Sequence, residues 1–265
     1  MTLKKVLLQA ALFLWLPIVV VAFIWFGSAS STAFYFPAAS KVMEAFFAGF
    51  ATGPFWENIA FSLTNLLIGM AISITLGIGT GLIIGERPTL RRATGPLLDF
   101  ARATPTVAFV PLIILTLGIG IEPKIFLIAL GTYWPILLNT IAGVQSIKPA
   151  VFEMAKSYRI PARLRLFKVT LPGASPQIFA GIRIALAVGV VLIVVSEIYG
   201  SAVGVGYFIL QSGSSFRVPE TWAGTVLIGL IGYTLSLLLL GGEYLALGWN
   251  SERAPKDRKA RALKS

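Results

Sequence analysis

Four stretches of this sequence contain no Asp, Glu, Lys or Arg: residues 7–27, 58–85, 103–121 and 125–147. A helix rises about 1.5 Å per residue and needs roughly 20 apolar residues to cross a hydrocarbon core about 30 Å thick. Each window meets or approaches that length. Two more runs join them: residues 184–196 stay apolar up to Glu197 and on to Phe216, and residues 221–242 are again free of charge. Only 12% of the chain is charged, against about 25% in an ordinary soluble domain. The expected fold class is an all-α integral membrane protein. Six transmembrane helices are expected at about 7–27, 58–85, 99–121, 125–147, 178–200 and 221–246, in a single domain 1–265 with a basic tail at 251–265. The first window exceeds the roughly 7–15-residue core of a secretory signal, so it reads as a retained helix.

The cations give the orientation. Of 22 Lys and Arg, all but Lys41, Lys124 and Arg217 fall on segments that share one side if the N-terminus is cytoplasmic. That is a strong positive-inside bias, and both termini are expected in the cytoplasm. The net charge of +11 is thereby explained by topology. A nucleic-acid partner would call for a basic patch on a soluble fold with aromatic platforms or groove-reading helices, and the sequence offers none.

Cysteine and histidine are both absent. Disulfides, thiolate chemistry and imidazole-based acid–base or metal sites go with them. No GxxxxGK[ST], GxSxG or HExxH occurs, so no phosphate-cradling loop, nucleophile elbow or zinc-protease helix is expected. The chain is read as not an enzyme, with no catalytic residue, no cofactor and no metal. Two acids lie inside apolar runs, Glu197 and Glu243. An ionisable group within a span is by default a functional candidate.

Small residues recur at four-residue spacing in two spans, as Gly77, Gly81 and Gly85 and as Gly181, Ala185 and Gly189. Such stripes let helix backbones approach closely and mark packing faces. The outer segment 28–57 reads as a loop with one short amphipathic helix near 41–50. Asp99 and Arg102 stand three apart, the spacing of a helical ion pair.

The segment EMAKSYRIPARLRLFKVTLP, 153–172, interrupts this apolar chain. Val151, Met154, Ala155 and Tyr158 follow i, i+3, i+4, i+7, one stripe of a short helix. Pro161 suits the first turn of a second helix, where Leu164, Phe167 and Leu171 form another stripe beside Arg163, Arg165 and Lys168, and Pro172 is expected to end it. Two short amphipathic helices joined by a turn, held at the cytoplasmic face by their charge, suit a headgroup layer or a partner's groove.

The spacing resembles the EAA loop of ABC-importer permeases: Glu-Ala-Ala, a glycine four residues beyond the last alanine, and Leu-Pro about a dozen residues further on. Glu153, Met154 and Ala155 match it in two of three places, and Leu171 with Pro172 supply the ending. The flanking PLLDFARATPTVAFVPLIILTLGIGIEPKI and LPGASPQIFAGIRIALAVGVVLIVVSE are similar to the nitrate/sulfonate/taurine group of these permeases, over about residues 56–250. Arg159 stands where the family has its turn glycine. A non-glycine residue at positive φ costs about 1 kcal/mol, so the turn is expected to be built through Ile160 and Pro161 instead.

The resemblance implies a type I ABC-importer permease-like bundle in the bacterial cytoplasmic (inner) membrane. It implies a dimer of separate ATPase subunits, a second permease subunit as a homodimer, an extracytoplasmic substrate-binding protein, and no nucleic acid. The cargo would be a small solute such as a sulfonate, taurine, nitrate or a similar small organic molecule. Within an EAA-type loop at 148–176, Glu153, Ala155, Tyr158, Arg159, Leu164, Phe167, Leu171 and Pro172 would carry ATPase coupling. Glu197, Gly204, Gly206 and Tyr207 would border the translocation path, with Glu197 alternatively an interhelical hydrogen-bond acceptor. A proton- or sodium-coupled carrier and a non-transport assembly protein are the competing readings.

Overall fold

The computed structural model describes the backbone of residues 3–248 and the side chains of residues 15–248. The basic tail expected at 251–265 and the side chains of the first half of the first expected span lie outside the described residues. Among the described residues all regular structure is helical: α1 Leu3–Ser28, α2 Ala39–Ala51, α3 Pro54–Glu86, α4 Pro88–Ala103, α5 Val110–Leu117, α6 Glu122–Gln145, α7 Pro149–Ser157, α8 Ala162–Arg165, α9 Leu171–Gly200, α10 Val205–Ser214 and α11 Val218–Ala246.

Four of these runs are long and apolar enough to cross a membrane: Pro54–Glu86, Glu122–Gln145, Ala162–Gly200 and Val218–Ala246. A fifth arises if Pro88–Ala103 and Thr106–Leu117, bent by 77° at their junction, count as one broken span. The break follows from the backbone. Pro105 is extended at φ −64°, ψ 112°, Pro111 sits at the start of α5, and Gly118 at φ +77° closes it. Proline lacks an amide donor and forces its predecessor out of the helical region; Thr104, before Pro105, is extended at ψ 122°, so the span expected at 99–121 is broken between Ala103 and Thr106.

The chain divides into two compact units. One comprises the residues up to Thr64 with Val194–Leu230, the other Asn65–Ile193 with the residues from Ile231 on.

In the second unit α3 lies parallel to α6 in a fixed register. Ser73 meets Thr132, 59 residues on, through a 2.7 Å hydroxyl bond, and the same offset relates Gly69 to Ile128, Gly77 to Ile136, Gly81 to Thr140 and Gly85 to Val144. Each of those glycines faces a branched side chain so closely that an added Cβ would stand 2.6–2.9 Å from it. With only lipid outside, van der Waals contact is the main attraction between spans, and the small stripe maximises it. On another side of α6, α9 runs antiparallel: Gly143 faces Ala174, Gly181 faces Asn139, and Gly189 faces Thr132. The two small-residue stripes therefore do pack helices, and Ile128, Ile136 and Leu137 of α6 are fully buried. On α11, buried Glu243 accepts a hydrogen bond from Arg183 Nη2 of α9. Asp99 and Arg102 form the expected exposed pair at 3.2 Å.

In the first unit, α2 forms in the expected outer segment and is tied to the start of α3 and to α10 by edge-on rings. Phe46, Phe50, Phe55 and Phe208 follow one another with centroids 5.1–5.9 Å apart. Gly49 leaves the space that the Phe55 ring fills. Exposed Trp, Tyr and Phe, including Trp25, Tyr35 and Phe36, suit a membrane–water boundary.

Candidate functional site

Two constellations stand out, one in each unit. The first is the segment from Pro149 to Pro172. Pro149 opens α7 at a position where the missing amide is no loss. The helix then divides its apolar residues between two faces. Ala155 is buried, at 4% exposure, and Phe152 is half-buried, while Val151, Met154 and Tyr158 are exposed. Leu164 and Phe167 are likewise exposed. Glu153 and Arg159 project to solvent, and Leu171 and Pro172 are half-buried.

The turn is not built through Ile160 and Pro161. Arg159 itself takes the left-handed conformation at φ +50°. Its amide donates to Lys156 O and the Ile160 amide to Ala155 O, both at 2.9 Å, the pair of bonds that defines a Schellman closure. The sequence lacks the glycine but keeps the geometry, because two otherwise orphaned carbonyls gain donors. An Arg159→Gly variant is expected to be more stable by about 1 kcal/mol, seen as a higher midpoint in thermal unfolding of the detergent-solubilised protein.

Nor does Pro172 end the second helix. From Ala162 the chain stays helical to Gly200, through a π-turn at Leu166–Thr170 just before Pro172. A proline ring clashes with the carbonyl four residues back. The extra residue of a π-turn displaces that carbonyl and lets the helix continue.

Around this segment are two cavities. One, of about 640 Å³, is lined by Glu86, Arg91, Gln145, Phe152, Glu153 and Lys156 among others. The other, of about 520 Å³, is lined by Leu82, Ile83, Glu86, Leu166, Phe167 and Leu171 among others. Glu86, the last residue of α3, borders both. Its Oε1 accepts from Thr170 Oγ1 at 2.7 Å and its Oε2 from Arg165 Nη2 at 3.3 Å.

The second constellation surrounds Glu197, which is fully buried. Ser62 Oγ donates to its Oε1 at 2.7 Å and the Gly206 amide to its Oε2 at 2.8 Å. Ser62 Oγ in turn accepts from the Val205 amide at 3.0 Å, and Asn58 Oδ1 accepts from the Gly204 amide at 2.7 Å. Three of the free amides that begin any helix are thus met by side chains from α3 and α9. Gly204, at φ +123°, turns the chain into α10 directly against the carboxylate. Tyr207 is half-buried one residue beyond this cluster.

Sequence reasoning missed Glu86, Thr170, Asn58 and Ser62. A signal existed for three of them. Glu86 is the first charge after a 28-residue-wide charge-free window, 58–85, and Asn58 and Ser62 are polar residues four apart within a span. Among the described residues no group of three acids could hold a metal ion.

Helices long and apolar enough to span, packed against one another on small residues, define a multi-pass helical membrane protein. The chain belongs to the family of binding-protein-dependent transport system inner membrane components, whose model matches residues 73–243. It is 34% identical to the putative aliphatic sulfonates transport permease protein SsuC of Escherichia coli, over 93% of this chain and 94% of that one. It is 30% identical to the taurine transport system permease protein TauC of Escherichia coli, over 82% of this chain and 81% of that one. The nitrate import permease protein NrtB of Leptolyngbya laminosa is 30% identical over 75% and 71%. Among solved structures, an inward-facing form of the MetNI methionine ABC transporter matches in fold with a TM-score of 0.62 at 16% identity, covering 71% of this chain and 94% of that chain. The protein is a permease subunit of an ABC transporter, a multi-pass inner-membrane component. ATP hydrolysis belongs to a separate subunit, and membership implies an external binding protein in general.

Proposed function

We propose that this permease imports a small solute bearing an oxyanion group, a sulfonate, taurine, nitrate or a similar molecule. Residues 149–172 serve as the handle by which an ATPase dimer moves the spans. The solute class rests on relatives named for taurine, aliphatic sulfonates and nitrate transport. Two copies of the chain make the path, with both termini cytoplasmic, the orientation that the cation distribution supports.

One observation carries the coupling role: Val151, Met154 and Tyr158 are exposed on a short helix whose adjoining face, at Phe152 and Ala155, turns inward. An amphipathic helix anchored on one face and offering apolar anchors three and seven residues apart on the other is the form that fits a groove. The stiff Schellman turn at Arg159 fixes the angle at which Leu164 and Phe167 follow. Leu171 and Pro172 join this handle to α9. At the outer end, Glu197, Gly204 and Gly206 shape the entry to α10 beside Tyr207, where an external receptor would deliver its cargo.

The test is Glu153→Arg in the transporter assembled with its ATPase and binding protein. ATP-driven uptake is expected to vanish while the permease still reaches the membrane. Uptake at the wild-type rate would sink the coupling role.

A further inference from the structure

We infer that Glu86 is the positioning residue that makes α3 follow the coupling segment, an inference that rests on the docking role proposed for residues 149–172. A push on α7 and α8 reaches α9 along the chain, but only through the π-turn at Leu166–Thr170 and past Pro172. That stretch departs from the regular ladder of a 39-residue helical run, since a π-turn shifts its bonds to i→i+5 and proline contributes no donor. With the ladder interrupted at this point, a second route into the spans is needed if the motion is to be stiffly passed on.

Glu86 supplies it. Its carboxylate brackets the π-turn, taking Thr170 Oγ1 at its last residue and Arg165 Nη2 just before its first. Thr170 is fully buried, and the Arg165 and Glu86 side chains keep 30% and 21% of their surface. The flanks are open: cavities of about 640 and 520 Å³ lie on either side, and Glu86 lines both. At this end of α3 the carboxylate is a pillar between two voids, so displacement of residues 165–170 is delivered to α3 as displacement of its last residue. From there the tight α3–α6 register carries it inward.

The pillar also has slack. Arg165 gives Glu86 one long contact, and its Nε is buried with no hydrogen-bond partner. A guanidinium can meet a carboxylate with two parallel bonds, so a small advance of the segment improves this pairing before α3 is loaded.

The experiment uses the complete transporter with its ATPase and binding protein, measuring ATP hydrolysis and solute uptake on the same preparation. Glu86→Gln is expected to leave the ATPase bound and hydrolysing while uptake falls about ten-fold, within the usual range of coupling between sites. ATP consumed per solute rises by the same factor. The exchange Glu86→Arg with Arg165→Glu restores a ratio near wild type, a recovery that mere damage to folding would not produce. Thr170→Val, which keeps the ion pair, gives a smaller rise of the same sign. An unchanged ratio in Glu86→Gln overturns the inference, as does a parallel fall of hydrolysis and uptake. If Glu153→Arg abolishes uptake while Glu86→Gln leaves the ratio at wild type, the docking role survives and this one fails. If the ATPase stays bound and coupled in Glu153→Arg, the docking role itself fails.

Discussion

Gly81→Leu is expected to separate α3 from α6 and to leave little folded protein after detergent extraction, whereas Gly79→Leu, two residues away, leaves the midpoint of thermal unfolding near wild type. The contrast is geometric. A Cβ at Gly81 would stand 2.6 Å from Thr140 Cβ and 3.1 Å from the Leu137 carbonyl oxygen, while one at Gly79 meets nothing within 4 Å. Thr140 has no room to yield, being fully buried with its hydroxyl committed to the Ile136 carbonyl at 2.7 Å. Overpacking a tight core costs about 1–3 kcal/mol and occasionally more. Here the lost contact extends along the shared register through Gly77 and Gly85, so the upper end applies. At Gly79 the substitution gains roughly 1 kcal/mol of helix propensity. Equal midpoints for the two variants would show that the 59-residue register is wrong.

That register explains what could be read from the sequence. The stripe Gly77, Gly81, Gly85 announces a packing face because helical periodicity is local, and α3 does use it. Its partner, α6, is not announced, since the offset is set by tertiary contact and not by any pattern within either helix. The coupling segment shows the same division. Its first short helix and that helix's exposed anchors follow from apolar spacing at 151, 154 and 158, whereas the second helix runs on past Pro172 to Gly200. The left-handed Arg159 and the π-turn before Pro172 do not follow from spacing, because both override an intrinsic preference with bonds that exist only in the folded chain. The third apolar window illustrates the opposite error. Absence of charge at 103–121 reports the solvent a segment tolerates, and Pro105, Pro111 and Gly118 decide the path of its backbone. Glu86 is 84 residues from Thr170 and Glu197 is 135 from Ser62. At such separations a pairing leaves no trace in one sequence.

The buried carboxylate at Glu197 supports the second large effect. Gly204→Ala is expected to destabilise the protein far more than Gly53→Ala, although both glycines have positive φ. Gly53, at φ +95°, has nothing within 4 Å of an added Cβ, so alanine there meets only backbone strain of about 1–3 kcal/mol. Gly204 lies at φ +123°, ψ 160°, a region almost closed to other residues, and a Cβ would fall 2.3–2.5 Å from the Glu197 carboxyl carbon and oxygens. Relief requires the carboxylate to move. Moving it strips acceptors from Ser62 Oγ and the Gly206 amide, each a buried donor whose loss costs about 1–3 kcal/mol. The strain and the broken bonds add, because the same shift causes both. Glu197→Ala removes both acceptors and belongs with the severe class. Glu197→Gln keeps the shape: its oxygen can accept from the Gly206 amide and its NH2 can donate to Ser62 Oγ, which has a second lone pair beside the one facing Val205. Retained uptake in Glu197→Gln, with loss of folded protein in Gly204→Ala, identifies the carboxylate as the bracket that holds the start of α10. Loss of uptake in a well-folded Glu197→Gln variant would instead require the charge itself, and the bracket would not be its purpose.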